Sequence, residues 1–278
     1  MDIMKTMVEV DFTFQVIMKT KIDYRKSRNK MLLLISSSST ILLGHYVLGA
    51  ATGYLTGEKY YYNASDIYYL TSLYNGNTTC LVTSILWELK HRLNYMQNLT
   101  THLIADEVKL KKTLSLIRNN YNRMSKVAVE LNSIFELCLL IKFSVYLSYT
   151  LFVCFWFTSG TILGNPISYY DYVRHAGWLG VVVLDVTVNI SHCVTFVEKA
   201  KKTVQLMEDL EKAVGKSNLP YKQVELFSLQ VYVEDFKFSV FGCFPLDWTL
   251  LHSMVAGVAT YLVIFHQFSN MEKKANAV

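Results

Sequence analysis

Proline is nearly absent from this chain, at three residues in 278, and glycine supplies only 12. That leaves little material for the many tight turns of an all-β fold. Charge is also scarce. Asp, Glu, Lys and Arg make up 18% of the chain, against about 25% in an average globular protein. The five cysteines, Cys80, Cys138, Cys154, Cys193 and Cys243, lie far apart with no C-x-x-C pair. This spacing excludes a disulfide framework and a zinc site, and the thiols are expected to pack as small hydrophobes. The opening MDIMKTMVEVDFTF carries Asp2, Lys5, Glu9 and Asp11, so it has no uninterrupted apolar run of the kind a secretory signal needs. No Gly-rich phosphate loop, metal cluster or nucleophile triad is present, and the net charge of +5 is mild. No enzyme, cofactor, metal or nucleic-acid partner is expected.

Hydrophobic residues, by contrast, make up 52% of the chain, and they are clustered. A spanning helix needs about 20 residues with few charges. Five stretches qualify: 31–57, 67–87, 137–160, 176–197 and 248–268. The second is the most polar, with Asn75, Asn77, Thr78 and Thr79. The fold class expected is an all-α polytopic membrane bundle. Lys and Arg set its orientation. Six lie between 19 and 30, eight in 88–136 and seven in 198–247. Only one lies in 58–66, one in 161–175 and two in 269–278. The asymmetry predicts that 1–30, 88–136 and 198–247 are cytoplasmic. The loops 58–66 and 161–175 and the tail 269–278 are then extracellular. Lys142 is read at the edge of its span.

The two long cytoplasmic segments are too long to lack structure in a compact protein. Leu86, Leu89, Leu93, Met96, Thr100 and Leu103 step by three and four, as do Leu110, Leu114, Ile117, Tyr121, Met124, Ala128, Leu131, Phe135 and Cys138. Such spacing predicts two long helices packed as a hairpin that turns near Ala105–Asp106–Glu107. The second seam is also expected to serve subunit assembly, because a short stalk on one protomer buries little. A third extension runs through Val204, Met207, Leu210 and Val214 to stop signals at Gly215, Asn218 and Pro220. A fourth cytoplasmic helix is expected from Tyr221 to about Phe241.

The last span ends Thr260-Tyr261-Leu262-Val263-Ile264-Phe265-His266-Gln267-Phe268. This resembles the TY-five-residues-QF signature in the final helix of insect gustatory receptors. Phe241-Gly242-Cys243-Phe244-Pro245-Leu246-Asp247 resembles the entry to that helix, and Leu226-Phe227-Ser228-Leu229-Gln230 the run before it. Arg92 to Leu99 resembles a loop after the family's fourth helix. The resemblance implies seven spans, an inside N-terminus and an outside C-terminus. It also implies a tetrameric, ligand-gated, non-selective cation channel at the plasma membrane of chemosensory neurons. Aligned from the C-terminus, the five spans resemble the third to seventh. The chain is then expected to be N-terminally incomplete, with 10–26 as the loop between the second and third spans. The partners implied are a small-molecule tastant, the lipid bilayer and other gustatory receptor subunits in a homo- or heterotetramer.

Carried over by motif, Gln267 and Phe268 would lie at the pore constriction, with His266 facing the pore or a neighbouring helix. A phenyl ring can close a pore by dewetting, and an amide can solvate a passing cation. Asp185 is the one charge within 176–197. With Asn189, His192 and Phe196 it forms a stripe on one helix face. Such residues usually face a bundle interior. Asp185 and Asn189 are therefore read either as anchors of a tastant pocket or as interhelical partners that order the bundle, the second being preferred. Trp156 and Trp178 bracket the outer ends of two spans, as interface aromatics or as pocket walls. Asp247 is read as the N-cap of the last helix. Of four N-x-S/T sequons, only Asn63 is expected on the extracellular side.

Other functions fit less well. A G-protein-coupled receptor would place its C-terminus inside, and D-R-Y and N-P-x-x-Y runs are absent. A transporter would show repeats or broken spans. An odorant receptor of the same superfamily, or a non-functional truncated receptor, is the alternative.

Overall fold

The computed structural model describes residues 3–18, 24–56, 62–103, 107–163, 169–214 and 237–276. Six helices account for nearly all of them: α1 (Ile3–Met18), α2 (Tyr24–Thr56), α3 (Tyr62–Leu103), α4 (Glu107–Leu163), α5 (Tyr169–Val214) and α6 (Trp248–Asn276). Between α5 and α6 lies a hairpin of two short strands, β1 (Ser239–Val240) and β2 (Phe244–Pro245). The chain divides into two compact units. The first holds 1–31, 81–136 and 191–246, and the second 32–80, 137–190 and 247–278.

In the first unit, the three-four spacing of apolar residues becomes a buried core. Leu86, Leu89, Leu93 and Met96 of α3 are buried, as are Ile117, Tyr121, Met124, Ala128 and Leu131 of α4. Fully burying each such side chain is worth roughly 1.5–3 kcal/mol. The α4 seam expected to face another subunit is therefore covered within the protomer. The large apolar residues that α4 leaves exposed in this unit are others, Val129 and Ile134. Leu110, Leu114 and the turn at 104–106 lie outside the described side chains.

The N-terminal segment is also not a plain connector. Ile3, Met7, Val10, Phe14 and Ile17 recur every three or four residues, which makes α1 amphipathic. Met7 and Val10 are buried, and so is Asp11. Asp11 is held by Arg92 of α3 through two bonds, Nε to Oδ1 at 2.7 Å and Nη2 to Oδ2 at 2.5 Å. Arg92 also donates to Glu88 at 2.9 Å. Burial alone would lower the Arg92 pKa, but these two carboxylates outweigh it and raise it.

The expected helix from Tyr221 to Phe241 falls mostly outside the described residues, and its last part is corrected. Ser239 pairs with Pro245 and Val240 with Phe244 in antiparallel register. Phe241 and Gly242 both take left-handed conformations, φ 50° and 67°, and Cys243 N donates to Val240 O at 2.9 Å. Two consecutive left-handed residues cannot continue a right-handed helix. The hairpin is fastened by Ser239 N donating to Asn132 Oδ1 of α4 and by Phe238 packing edge-on against Phe196 of α5.

In the second unit, α2 and α3 approach closely. A Cβ on Gly76 would lie 2.9 Å from Ser38 Oγ and 3.2 Å from Leu42 Cδ1, so the hydrogen at that position is what permits the contact. Asp247 caps α6 as expected: its Oδ1 accepts from Thr249 N at 2.8 Å.

Among the described residues, three helical stretches are long and apolar enough to cross a membrane: Leu116–Thr158, His175–Leu206 and Trp248–Phe268. They contain or overlap the predicted spans 137–160, 176–197 and 248–268. The predicted spans 31–57 and 67–87 are helical where described but are not among the three.

Candidate functional site

Three arrangements in the second unit bear on function. The first is a buried polar network. Lys142 of α4 and Asp185 of α5 form an ion pair of 2.5 Å. Lys142 also donates to Thr79 Oγ1 of α3. Tyr146, one turn after Lys142, donates its hydroxyl to Asp185 Oδ2 at 3.1 Å. Asn189, one turn after Asp185, donates to Thr79 Oγ1 at 3.3 Å and to the Asp185 carbonyl at 2.7 Å. Thr79 passes its own proton back to Asn75 O at 3.1 Å. Three helices are thus tied at one level. Lys142 is 1% exposed, so it is interior to the packed helices.

The stripe read on α5 does not act as one unit. Asp185 and Asn189 join this network. His192 and Phe196 belong to the first unit, where His192 Nδ1 lies 3.1 Å from Lys90 Nζ and Phe196 meets Phe238. The absence of a spare charge on Asp185 favours the bundle-ordering reading over a ligand anchor, because its carboxylate is already paired and hydrogen-bonded.

The second arrangement is an aromatic cluster around His175. Tyr149 OH lies 2.9 Å from His175 Nδ1. Trp156 and Phe157 stack at centroid distances of 5.1 and 6.3 Å from the same imidazole. Trp178 meets Tyr149 edge-on at 6.2 Å. Trp178 is buried, which departs from a lipid-facing interface aromatic. Sequence reasoning singled out both tryptophans but missed Tyr149 and His175. The signal was available: His175 is the last loop residue before the fourth predicted span, and histidine beside a span end is unusual among so many rings.

The third arrangement is α6. Thr260, Tyr261, His266, Gln267 and Phe268 are all exposed on the protomer. Thr260 Oγ1 donates to Ala256 O within the helix. Phe265 rests on Phe155 of α4 at 5.1 Å and on Tyr261 at 6.5 Å. The motif residues therefore project from a helix tethered through Phe265, with Phe268 62% exposed. Among the described residues, no three His, Cys, Asp or Glu side chains converge as metal ligands would.

Residues 1–272 match the family described as 7tm Chemosensory receptor. The chain belongs to that family. The receptor chain is also similar to "Gustatory receptor 23a" of Drosophila melanogaster, 30% identical over 165 residues. That alignment covers 57% of this chain and 42% of the relative, less than half of the relative's length. The receptor is a helical membrane protein.

Proposed function

We propose that the receptor is a taste receptor subunit that detects a small-molecule tastant at the plasma membrane and opens a non-selective cation pore. Channel, tetramer and taste modality go beyond family membership. The observation that carries the reading is α6. It is apolar, long enough to span, and exposes Val255, Tyr261, Val263 and Phe268 on the protomer. A spanning helix so little covered by its own chain suits a wall shared between subunits. The TY…QF run at its end supplies a phenyl ring and an amide for a constriction. The likeness to a gustatory receptor supports taste over odour. The five-span topology, with the N-terminus cytoplasmic and the C-terminus outside, is part of the same proposal. Three of the five unit boundaries, 31/32, 136/137 and 246/247, fall within one residue of predicted membrane boundaries, and the other two, 80/81 and 190/191, lie seven residues inside predicted spans. The aromatic cluster around His175, with Trp156 and Trp178, is the proposed wall of the tastant pocket.

Whole-cell recording tests the pore. The chain is expressed alone and with the family's first two spans ahead of Met1. Phe268→Ala should give a cation leak without tastant, and Gln267→Ala should change conductance or selectivity more than closure. Silent cells and normal gating in Phe268→Ala would place the constriction elsewhere.

A further inference from the structure

In the first unit, α3 and α5 face each other across a polar seam. Trp87, Lys90, Asn94 and Gln97 recur on one face of α3, and His192, Thr195, Lys199 and Thr203 on one face of α5. Lys90 Nζ lies 3.1 Å from His192 Nδ1 and donates to Thr195 Oγ1 at 2.9 Å. Lys199 Nζ donates to Asn94 Oδ1 at 2.5 Å. Gln97 donates to Lys199 O at 3.0 Å and to Thr203 Oγ1 at 3.2 Å. Lys30 of α2 places its ammonium 3.8 Å over the Trp87 ring. From Trp87 to Asn94 is seven residues, roughly 10 Å of helix. Three ammonium groups therefore share about two turns.

Their partners are neutral. Among the described residues none of the three lysines meets a carboxylate within ion-pair distance. Glu88, the nearest acid in sequence to Lys90, is taken by Arg92, and Glu198 is exposed. Burial, and then the positive charges of Lys199 and Lys30, hold Lys90 below the ordinary lysine pKa. The cluster repels itself and lacks an anion.

The position in the chain says which anion. Lys30 is the last residue before the predicted span 31–57, Lys90 is the third after 67–87, and Lys199 is the second after 176–197. All three sit at the predicted cytoplasmic surface. Trp87 there is an aromatic of the headgroup level, and the cytoplasmic leaflet is the one that carries anionic lipids. We propose that Lys30, Lys90 and Lys199 form a binding site for a lipid headgroup bearing two or more phosphates, with Trp87 and Asn94 positioning the lysines. One phosphodiester would leave the cluster two charges short. The inference rests on the cytoplasmic placement proposed above.

The test uses the full chain, purified in detergent. Binding is titrated with short-chain phosphatidylinositol bisphosphate, phosphatidylserine and soluble inositol trisphosphate. The bisphosphate lipid should bind about tenfold or more tighter than either other probe, and Lys30→Gln/Lys90→Gln/Lys199→Gln should weaken it by about tenfold or more. Lys201→Gln/Lys202→Gln, which removes two exposed lysines of the same segment, should change it less than about twofold. If the triple variant unfolds early in a thermal scan, Lys90→Gln alone should still weaken binding by about threefold. Equal weakening in the control pair, or none in the lysine variants, would overturn the site. Equally tight inositol trisphosphate would overturn the lipid as its source. Binding that persists in a chain whose C-terminus stains inside the cell would overturn the leaflet, so failure of the site and failure of the orientation are read separately.

Discussion

Lys142 and Asp185 are the residues whose chemistry the bilayer constrains most. A charge in hydrocarbon costs several kcal/mol unless paired, and removing one member of a buried pair leaves the other uncompensated. Lys142→Met and Asp185→Leu should each destabilise the receptor by about 3–5 kcal/mol, while the double variant should lie within about 1 kcal/mol of the parent. Unfolding of the detergent-solubilised protein measures both. Additive losses in the double variant would mean that the two side chains act through Thr79, Tyr146 and Asn189 separately and not through each other. The pair was half legible in the sequence. Asp185 stood out as a lone charge in an apolar run. Lys142 did not, because it lies near the start of its run and reads as the boundary. Thr79 carried no signal, since a threonine hydroxyl in a helix usually bonds its own backbone one turn back, and Tyr146 carried none because an aromatic in an apolar run reads as packing.

At the scale of elements, α4 shows why an apolar stripe does not name its partner. The pattern Ile117, Tyr121, Met124, Ala128, Leu131 predicts a helix with one buried face, and that face is buried. What covers it is the protomer itself. If the receptor assembles as proposed, subunit contacts in this region would fall to side chains that remain exposed, Val129 and Ile134 on α4 and Val8 and Phe12 on α1. Val129→Glu with Ile134→Glu should leave a folded monomer and reduce cross-linked oligomers several-fold, because single exposed substitutions cost little stability. Tyr121→Glu should instead cost about 3 kcal/mol or more and lower the amount of folded protein, since it buries a charge. Size-exclusion profiles with cross-linking separate the two outcomes. Unchanged oligomers in the Val129/Ile134 variant would remove this face as an assembly surface. The β1–β2 hairpin was hidden for a different reason. Its strands are two residues each, and Phe241 adopts a left-handed conformation that its type rarely takes.

For the molecule as a whole, the orientation prediction follows from the distribution of lysine and arginine. A tag after Val278 should be stained by antibody on intact cells, and one before Met1 only after permeabilisation. The opposite pattern would invert the receptor, moving the lysine seam outside and the His175 cluster inside. The two units suit this arrangement. One is tied by buried ion pairs such as Asp11–Arg92. The other buries its charges as one network and leaves apolar residues such as Leu43, Val183 and Phe268 exposed.

By itself, the sequence determined the helical class, some helix ends such as those at Thr56 and Trp248, the cap at Asp247 and the family. These depend on local spacing, on runs of apolar residues and on a motif within nine positions, all readable along one strand of chain. Tertiary structure alone decided the partners. Asp11 meets Arg92 across 81 positions, Thr79 meets Lys142 across 63 and Lys90 meets His192 across 102. A helix face presents a residue every three or four positions, so many registers between two helices satisfy the same hydrophobic pattern. Only the packing of whole helices selects one register, and with it which charge finds which.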